Sequence, residues 1–337
     1  MKYKLFGKSG LRVSELCLGT MGFGTEWDWG CDYETSKKIF EAFANAGGNF
    51  LDTANRYTEG TSERMTGEFI SSDRDHFVLA TKYTLYDRRD DVSFSGNSRK
   101  NLLRSVHESL KRLKTEYIDL LWLHAWDFTT PVEEVMKGLD DLVSSGKVHY
   151  IGISDTPAWI VSQANTLAEL RGWNSFAGLQ IEYSLIERTP ERDLLPMARA
   201  LNLAVTPWGA IGGGVLTGKY LRNENGRIPE KSSRRNQRNT EIAKEVMKMA
   251  AEMDVTPGQL AINWTRQKGD SIIPIIGATK TSQLEDSIGC LTFTIPEDKM
   301  ERLNDITQID LGFPHEFLKS DMVRDVTFGG AIDKMKF

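Results

Sequence analysis

The sequence is poor in cysteine and histidine and has no long apolar run, and each shortage removes a class of function. Its three cysteines, Cys17, Cys31 and Cys290, are odd in number and lack CxxC spacing, so neither a disulfide framework nor a zinc site is expected. A reducing, cytoplasmic setting fits that usage. Apart from His124, the histidines His76, His107, His149 and His315 show no metal-ligand spacing, and no metal centre is expected. No stretch approaches the roughly 18 apolar residues that a membrane-spanning helix requires. The opening Met1-Lys2-Tyr3-Lys4-Leu5-Phe6-Gly7 lacks the apolar core of a secretory signal. Positive charge is not in excess either: a net charge of −5 over 337 residues gives no field for a nucleic-acid backbone or an anionic bilayer. The expected partner is a small molecule.

What is present is an ordinary globular composition, 40% apolar and 26% charged, with no linker or low-complexity stretch, so one domain over residues 1–337 is expected. Short apolar runs recur about every 30 residues, each followed by a turn and a longer amphipathic stretch, which is the pattern of repeated βα units. The runs begin at Leu16, Asn49, Phe77, Ile118, Val148, Gly178, Leu203 and Ile272. Between them, helical spacing is clear over Glu34–Ala46, Ser98–Lys114, Val132–Ser144, Trp159–Leu170, Glu191–Leu201 and Pro257–Gln267. Eight strand and helix pairs predict an α/β fold, a parallel (β/α)8 TIM barrel. A hairpin over Lys4–Val13 and extra helical segments after the seventh strand and at the C-terminus stand outside the repeat. The basic segment Leu221–Thr240 reads either as a solvated loop or as a lid over a phosphate-bearing cofactor.

In such barrels the reactive groups sit at the carboxyl ends of the strands. Three apolar runs end in Asp52, Lys82 and His124, and Tyr57 follows Asp52 by five residues. Taken singly these read as a helix cap, a solvated end, a packed imidazole and a loop residue; together at one rim they read as chemistry. A tyrosine hydroxyl, with an unperturbed pKa near 10, needs a cationic neighbour to exchange protons near neutrality. An ammonium at about 4 Å would favour the phenolate by at most about three pKa units before desolvation is counted. Lys82 is the expected cation, Asp52 its partner, and His124 a hydrogen-bond donor to the substrate oxygen. Phe23, Trp27, Trp29, Tyr86 and Trp126 follow strands one, three and four, and read either as an apolar substrate wall or as loop anchors. Gly213 to Lys219 fits the start of a phosphate-binding GxxxxGK loop, but Tyr220 stands where a magnesium-binding hydroxyl belongs, so an ATPase is excluded.

Leu51-Asp52-Thr53-Ala54-Asn55-Arg56-Tyr57, Leu79-Ala80-Thr81-Lys82, Ser109-Leu110-Lys111-Arg112-Leu113 with Tyr117-Ile118-Asp119-Leu120, Gly146-Lys147-Val148 to Ser154, and Leu216-Thr217-Gly218-Lys219-Tyr220 together resemble the aldo-keto reductase family. The resemblance runs through nearly the whole chain. It implies a metal-free barrel that reduces an aldehyde or ketone with NADPH, NADH being the weaker partner, and it lays the family's tetrad on Asp52, Tyr57, Lys82 and His124. It further implies that Ser154, Asp155 and Gln180 hold the nicotinamide carboxamide and that Trp208 stacks on the nicotinamide. Gly209, Ala210, Gly212, Gly213, Gly214, Leu216 and Lys219 would meet the pyrophosphate, with Gly277, Thr279, Lys280, Gln283, Asp286 and Ser287 at the adenosine end. Asp155 stands where the family more often has asparagine, and Ser287 where an asparagine commonly meets adenine. The competing reading is a cofactor-binding, redox-sensing regulatory subunit like those of potassium channels, made less attractive by the absence from this sequence of an N-terminal partner arm.

Overall fold

The computed structural model describes residues 1–335. The chain opens with a hairpin of β1 (Tyr3–Leu5) and β2 (Arg12–Ser14), paired antiparallel. Eight further strands follow: β3 (Cys17–Gly19), β4 (Phe50–Asp52), β5 (Val78–Tyr83), β6 (Ile118–Leu123), β7 (Val148–Ser154), β8 (Gly178–Glu182), β9 (Ala204–Trp208) and β10 (Ile275–Ile276). They pair in parallel, in the order β10-β3-β4-β5-β6-β7-β8-β9. The two ends meet through Val205, whose N–H donates to Ser271 (2.9 Å) and whose carbonyl accepts from Ile273 (2.8 Å). Pro274 explains why the last strand is short, since it has no N–H to give the ladder.

The helices are α1 (Tyr33–Asn45), α2 (Thr61–Phe69), α3 (Arg99–Leu113), α4 (Val132–Ser144), α5 (Ala158–Arg171), α6 (Leu194–Ala200), α7 (Gln237–Glu252), α8 (Pro257–Arg266), α9 (Thr281–Ile288), α10 (Glu297–Ile306), α11 (His315–Lys319) and α12 (Asp321–Phe328). Their boundaries follow local chemistry. Ser98 caps α3 through the Asn101 N–H, Lys114 ends it in a left-handed conformation, and Thr256 with Gln259 forms a reciprocal capping box on α8. Helix α3 buries Leu102, Val106 and Leu113 on one stripe. That stripe is the reason it packs on the sheet.

Two features tie this outer ring to the strands that carry the site. Glu63 of α2 is fully buried; its carboxylate accepts from Thr81 of β5 (2.6 Å) and pairs with Arg112 of α3 (2.5 Å). At the amino end, Phe6 of the hairpin plugs the barrel against Phe50 and Trp122, with ring centroids 5.8 and 6.1 Å away. Gly178 leaves room for that plug, because a Cβ there would lie 2.4 Å from the Phe6 ring. Among the described residues no helix is long and apolar enough to cross a membrane, and no cluster of acidic, cysteine and histidine side chains is fit to hold a metal.

The segment expected to run as loop to Thr240 ends earlier. Asn236 caps α7 through the Asn239 N–H, so Arg238 is helical and donates to the carbonyls of Ile186 (3.3 Å) and Thr307 (3.1 Å). Most of the remainder is exposed, but it is anchored at Ile228, which is buried against Val215 and Ala243 and whose N–H donates to the Tyr220 hydroxyl (3.0 Å).

Candidate active site

The carboxyl ends of β4, β5 and β6 deliver Asp52, Lys82 and His124 to one rim, because parallel strands in register end at one level. Lys82 is wholly buried and forms an ion pair with Asp52, while also donating to the Thr53 carbonyl (2.8 Å). The second oxygen of Asp52 accepts from the Gln180 side chain (3.0 Å). Gln180, read separately from the tetrad in the sequence, is thereby joined to it through one carboxylate. Burial is the largest single influence on Lys82 and pulls its pKa down; the charge of Asp52, that of Tyr57 and the hydrogen bonds to both together outweigh it and hold the ammonium above the ordinary lysine range.

Tyr57 reaches the same point from a strained turn. Residues Tyr57–Gly60 form a short 3₁₀ segment in which Thr58, Glu59 and Gly60 take φ of 44°, 54° and 83°. Two consecutive non-glycine residues in the left-handed region persist only where the surroundings hold them. Here Thr58 is fixed by donating to the Phe23 carbonyl (2.6 Å) and accepting from the Ser62 N–H (3.1 Å). The Tyr57 ring centroid lies 4.7 Å from the Lys82 ammonium and 5.9 Å from the His124 ring, which it meets edge-on.

The electrostatics differ in sign from the simple sequence expectation. Removal of water pushes the Tyr57 hydroxyl above its ordinary value, and Lys82 only partly offsets that rise. His124 is driven well below the usual imidazole range, first by burial and then by Lys82, so it is neutral at physiological pH. Its Nδ1 is buried without a hydrogen-bond partner.

A second group of side chains lies along β7 to β9. The Ser154 hydroxyl is buried and without a partner. Asp155, with φ of 41°, accepts from the Trp208 indole (3.2 Å). Although Asp155 opens onto the mouth, the surrounding protein withdraws water from it and pushes its carboxyl up to about 6. The Trp208 ring also carries the Arg234 guanidinium, 5.6 Å from its centroid and paired with Glu182 (2.6 Å). Beyond Trp208, Gly209, Gly212, Gly213 and Gly214 all have positive φ, and Ala210 and Leu216 are buried. A Cβ on Gly213 would lie 2.3 Å from Ile228, so the turn has no room for a side chain there. Lys219 is partly exposed beside it. An unpartnered hydroxyl, a half-buried indole and a glycine turn in sequence suit a planar amide followed by a phosphate.

At the far end, Gly277 and Lys280 are exposed, and Thr279 donates its N–H to Gln283 (3.0 Å). Asp286 is otherwise engaged: its two oxygens accept from Gln259 and Thr256 (both 3.1 Å), bracing α9 against the start of α8. The Ser287 hydroxyl donates to the Gln283 carbonyl (2.8 Å) within its own helix. Both side chains remain partly exposed at this end.

Of the aromatic wall, Phe23 is 1% exposed and packs on Phe69, so it anchors its loop and does not face open space. Trp126 leans on the core, half-buried. Trp27 does line the mouth, with its ring centroid 6.4 Å from Tyr57 and 5.6 Å from Trp29. Tyr86 accepts from Arg56 (2.8 Å), whose guanidinium lies 4.5 Å from the Tyr86 ring. Sequence reasoning gave no site role to Arg56, Thr58 or Glu182; only the adjacency of Arg56 and Thr58 to Tyr57 could have flagged the first two.

A sequence model described as the aldo/keto reductase family matches residues 15–308. The chain is 38% identical over 324 residues to norsolorinic acid reductase of Aspergillus flavus, covering 93% of this chain and 83% of that protein. It is 37% identical over 329 residues to an aryl-alcohol dehydrogenase [NADP(+)] of Phanerodontia chrysosporium, covering 91% and 86%. Norsolorinic acid reductase B of Dothistroma septosporum is 37% identical over 324 residues, covering 93% and 83%.

Proposed function

The chain belongs to the aldo/keto reductase family, oxidoreductases acting on the CH–OH/C=O pair, and from that premise we propose that it reduces an aromatic aldehyde or ketone with NADPH, Tyr57 handing over the proton. The supporting observation is the Lys82 ammonium 4.7 Å from the Tyr57 ring, buried and ion-paired with Asp52. The names of the relatives favour an aryl substrate and NADP, and the aromatic mouth around Trp27, Trp29 and Tyr86 agrees with the first.

When bound, NADPH supplies the hydride. Ser154, Asp155 and Gln180 would hold its carboxamide, and Trp208 would lie against its ring. The glycine turn with Lys219 would meet its pyrophosphate, and Thr279, Lys280 and Gln283 its adenosine phosphate. The remaining work falls to the side chains of this chain. Tyr57, raised above its ordinary pKa, arrives protonated and able to donate. Its O–H proton passes to the carbonyl oxygen, and the phenolate left behind is stabilised by the adjacent ammonium until solvent returns a proton. His124, neutral, carries one N–H to point at that oxygen without competing as an acid. Asp52 aims the lysine, and Gln180 fixes Asp52.

The direct test follows NADPH and NADH absorbance against aromatic aldehydes and ketones; no oxidation with any of them would sink the reading. In the same assay Lys280→Ala is expected to raise the KM for NADPH about tenfold, the scale of one charge-assisted hydrogen bond, and that for NADH by less than about twofold. Equal losses with both would place recognition of the 2′-phosphate elsewhere.

Asp155 gives a pH test that does not depend on turnover. As pH rises through about 6 its carboxyl ionises, and the added negative charge favours the cationic, oxidised nicotinamide. The ratio of NADP+ to NADPH affinity, from fluorescence titrations, should therefore rise across that pH range. In Asp155→Asn the ratio should be flat. A wild-type ratio independent of pH would remove Asp155 from the nicotinamide.

A further inference from the structure

The basic segment after β9 carries an arginine that the proposed chemistry does not use. Arg227 lies 4.9 Å from the Trp29 ring centroid. Trp29 adjoins Trp27, and Trp27 adjoins Tyr57, at centroid distances of 5.6 and 6.4 Å. A cation is thus linked by two indoles to the phenol. Unlike Arg56, which pairs with Glu59 at 2.5 Å, and Arg234, which pairs with Glu182 at 2.6 Å, Arg227 has no ion-pair partner among the described residues. Its surroundings push its pKa down, first by withdrawing water and then through the like charge of Arg234, while the Tyr57 and Tyr220 hydroxyls act in the opposite sense. It is a solvent-exposed, unpaired positive charge set on the aromatic stack that leads to Tyr57.

Nor is the side chain merely carried on a mobile loop. Its neighbour Ile228 is buried, and the Tyr220 hydroxyl that receives the Ile228 N–H itself donates to the Gly213 carbonyl (3.1 Å). Arg235 closes over the Tyr220 ring at 4.6 Å. The guanidinium is therefore presented from an anchored backbone, and the flat face of Trp29 fixes its plane. A planar fork of N–H donors without a partner, beside aromatic walls, is matched by a carboxylate or phenolate carried on an aromatic ring.

Resting on the proposed reduction, we infer that Arg227, seated on Trp29, is a specificity site for an anionic substituent on an aromatic carbonyl substrate, at the end remote from the reacting oxygen. The cofactor's phosphates are the other source of an oxyanion. They have cations of their own in Lys219, beside the glycine turn, and Lys280, whereas Arg227 stands on the Trp29 and Trp27 stack that leads to Tyr57.

The test compares 4-carboxybenzaldehyde with its neutral methyl ester for wild type, Arg227→Gln and Arg227→Lys. The wild type should prefer the acid by about tenfold in kcat/KM, mostly through KM, and the preference should shrink as salt is raised. Arg227→Gln should lose that preference while changing the ester by less than about twofold, and Arg227→Lys should recover only part of it. Equal use of acid and ester by the wild type overturns the inference. So does an Arg227→Gln variant whose main change is a higher KM for NADPH, which would assign the arginine to the cofactor. Calorimetric binding of benzoate against benzamide, in the presence of NADP+, separates this inference from the function on which it rests. If neither aldehyde is reduced, benzoate binding that is lost in Arg227→Gln still supports the anion site, and equal binding of the two ligands, or benzoate binding unchanged in the variant, overturns it.

Discussion

Replacing Tyr57 with phenylalanine should lower kcat for aldehyde reduction by about 10²- to 10⁴-fold, the range that general acid catalysis supplies. The ring contacts with Trp27 and His124 and the position over Lys82 do not require the hydroxyl, so the pocket should keep its shape. Affinity for NADPH, measured by fluorescence titration, should change by less than about twofold, because only the proton is removed. A variant that keeps kcat within tenfold of the wild type would show that another group, or water, delivers the proton. The rest of the mechanism would then need a new acid.

Lys82→Met should have two effects at once, and their separation is informative. Lys82 is wholly buried and ion-paired with Asp52, so methionine of similar length leaves a buried carboxylate with Gln180 as its remaining side-chain donor. Removing one partner of such a pair costs about 3–5 kcal/mol of stability, to be read as a shift in the urea midpoint. The loss of kcat should be at least as large as that in Tyr57→Phe, since the phenolate left by proton transfer loses the ammonium beside it. The double variant Asp52→Asn, Lys82→Met removes the stranded charge as well. It should regain most of the stability while remaining inactive. Recovery of activity in the double variant would mean that Lys82 serves the fold and not the phenol.

Much of this arrangement was legible in the chain, for reasons tied to particular elements. Helices α3 and α4 declare themselves by apolar spacing, and α8 by its threonine cap, because those signals are local. Asp52, Lys82 and His124 were visible because each ends a run of apolar residues, and a strand that ends in a polar group presents it at the rim. Helix α2 was not visible. It starts after a left-handed turn, has no side-chain cap, and contains Gly67, whose missing Cβ lets the Leu113 backbone come close. The turn that aims Tyr57 carries no sequence signature either, since Thr58 and Glu59 adopt positive φ only under the hydrogen bonds that hold Thr58.

What the sequence determined alone is the alternation that makes a parallel barrel and the residue types available at its carboxyl rim, because periodicity and strand ends are properties of neighbouring residues. Only the tertiary structure decided how those residues are charged and to what they are committed. Burial keeps Tyr57 protonated and His124 neutral, α8 claims Asp286, the core claims Phe23, and Arg227 is left uncompensated over Trp29. Each of these depends on which groups distant in the chain exclude water or offer a partner, and desolvation and pairing act through space and not along the backbone.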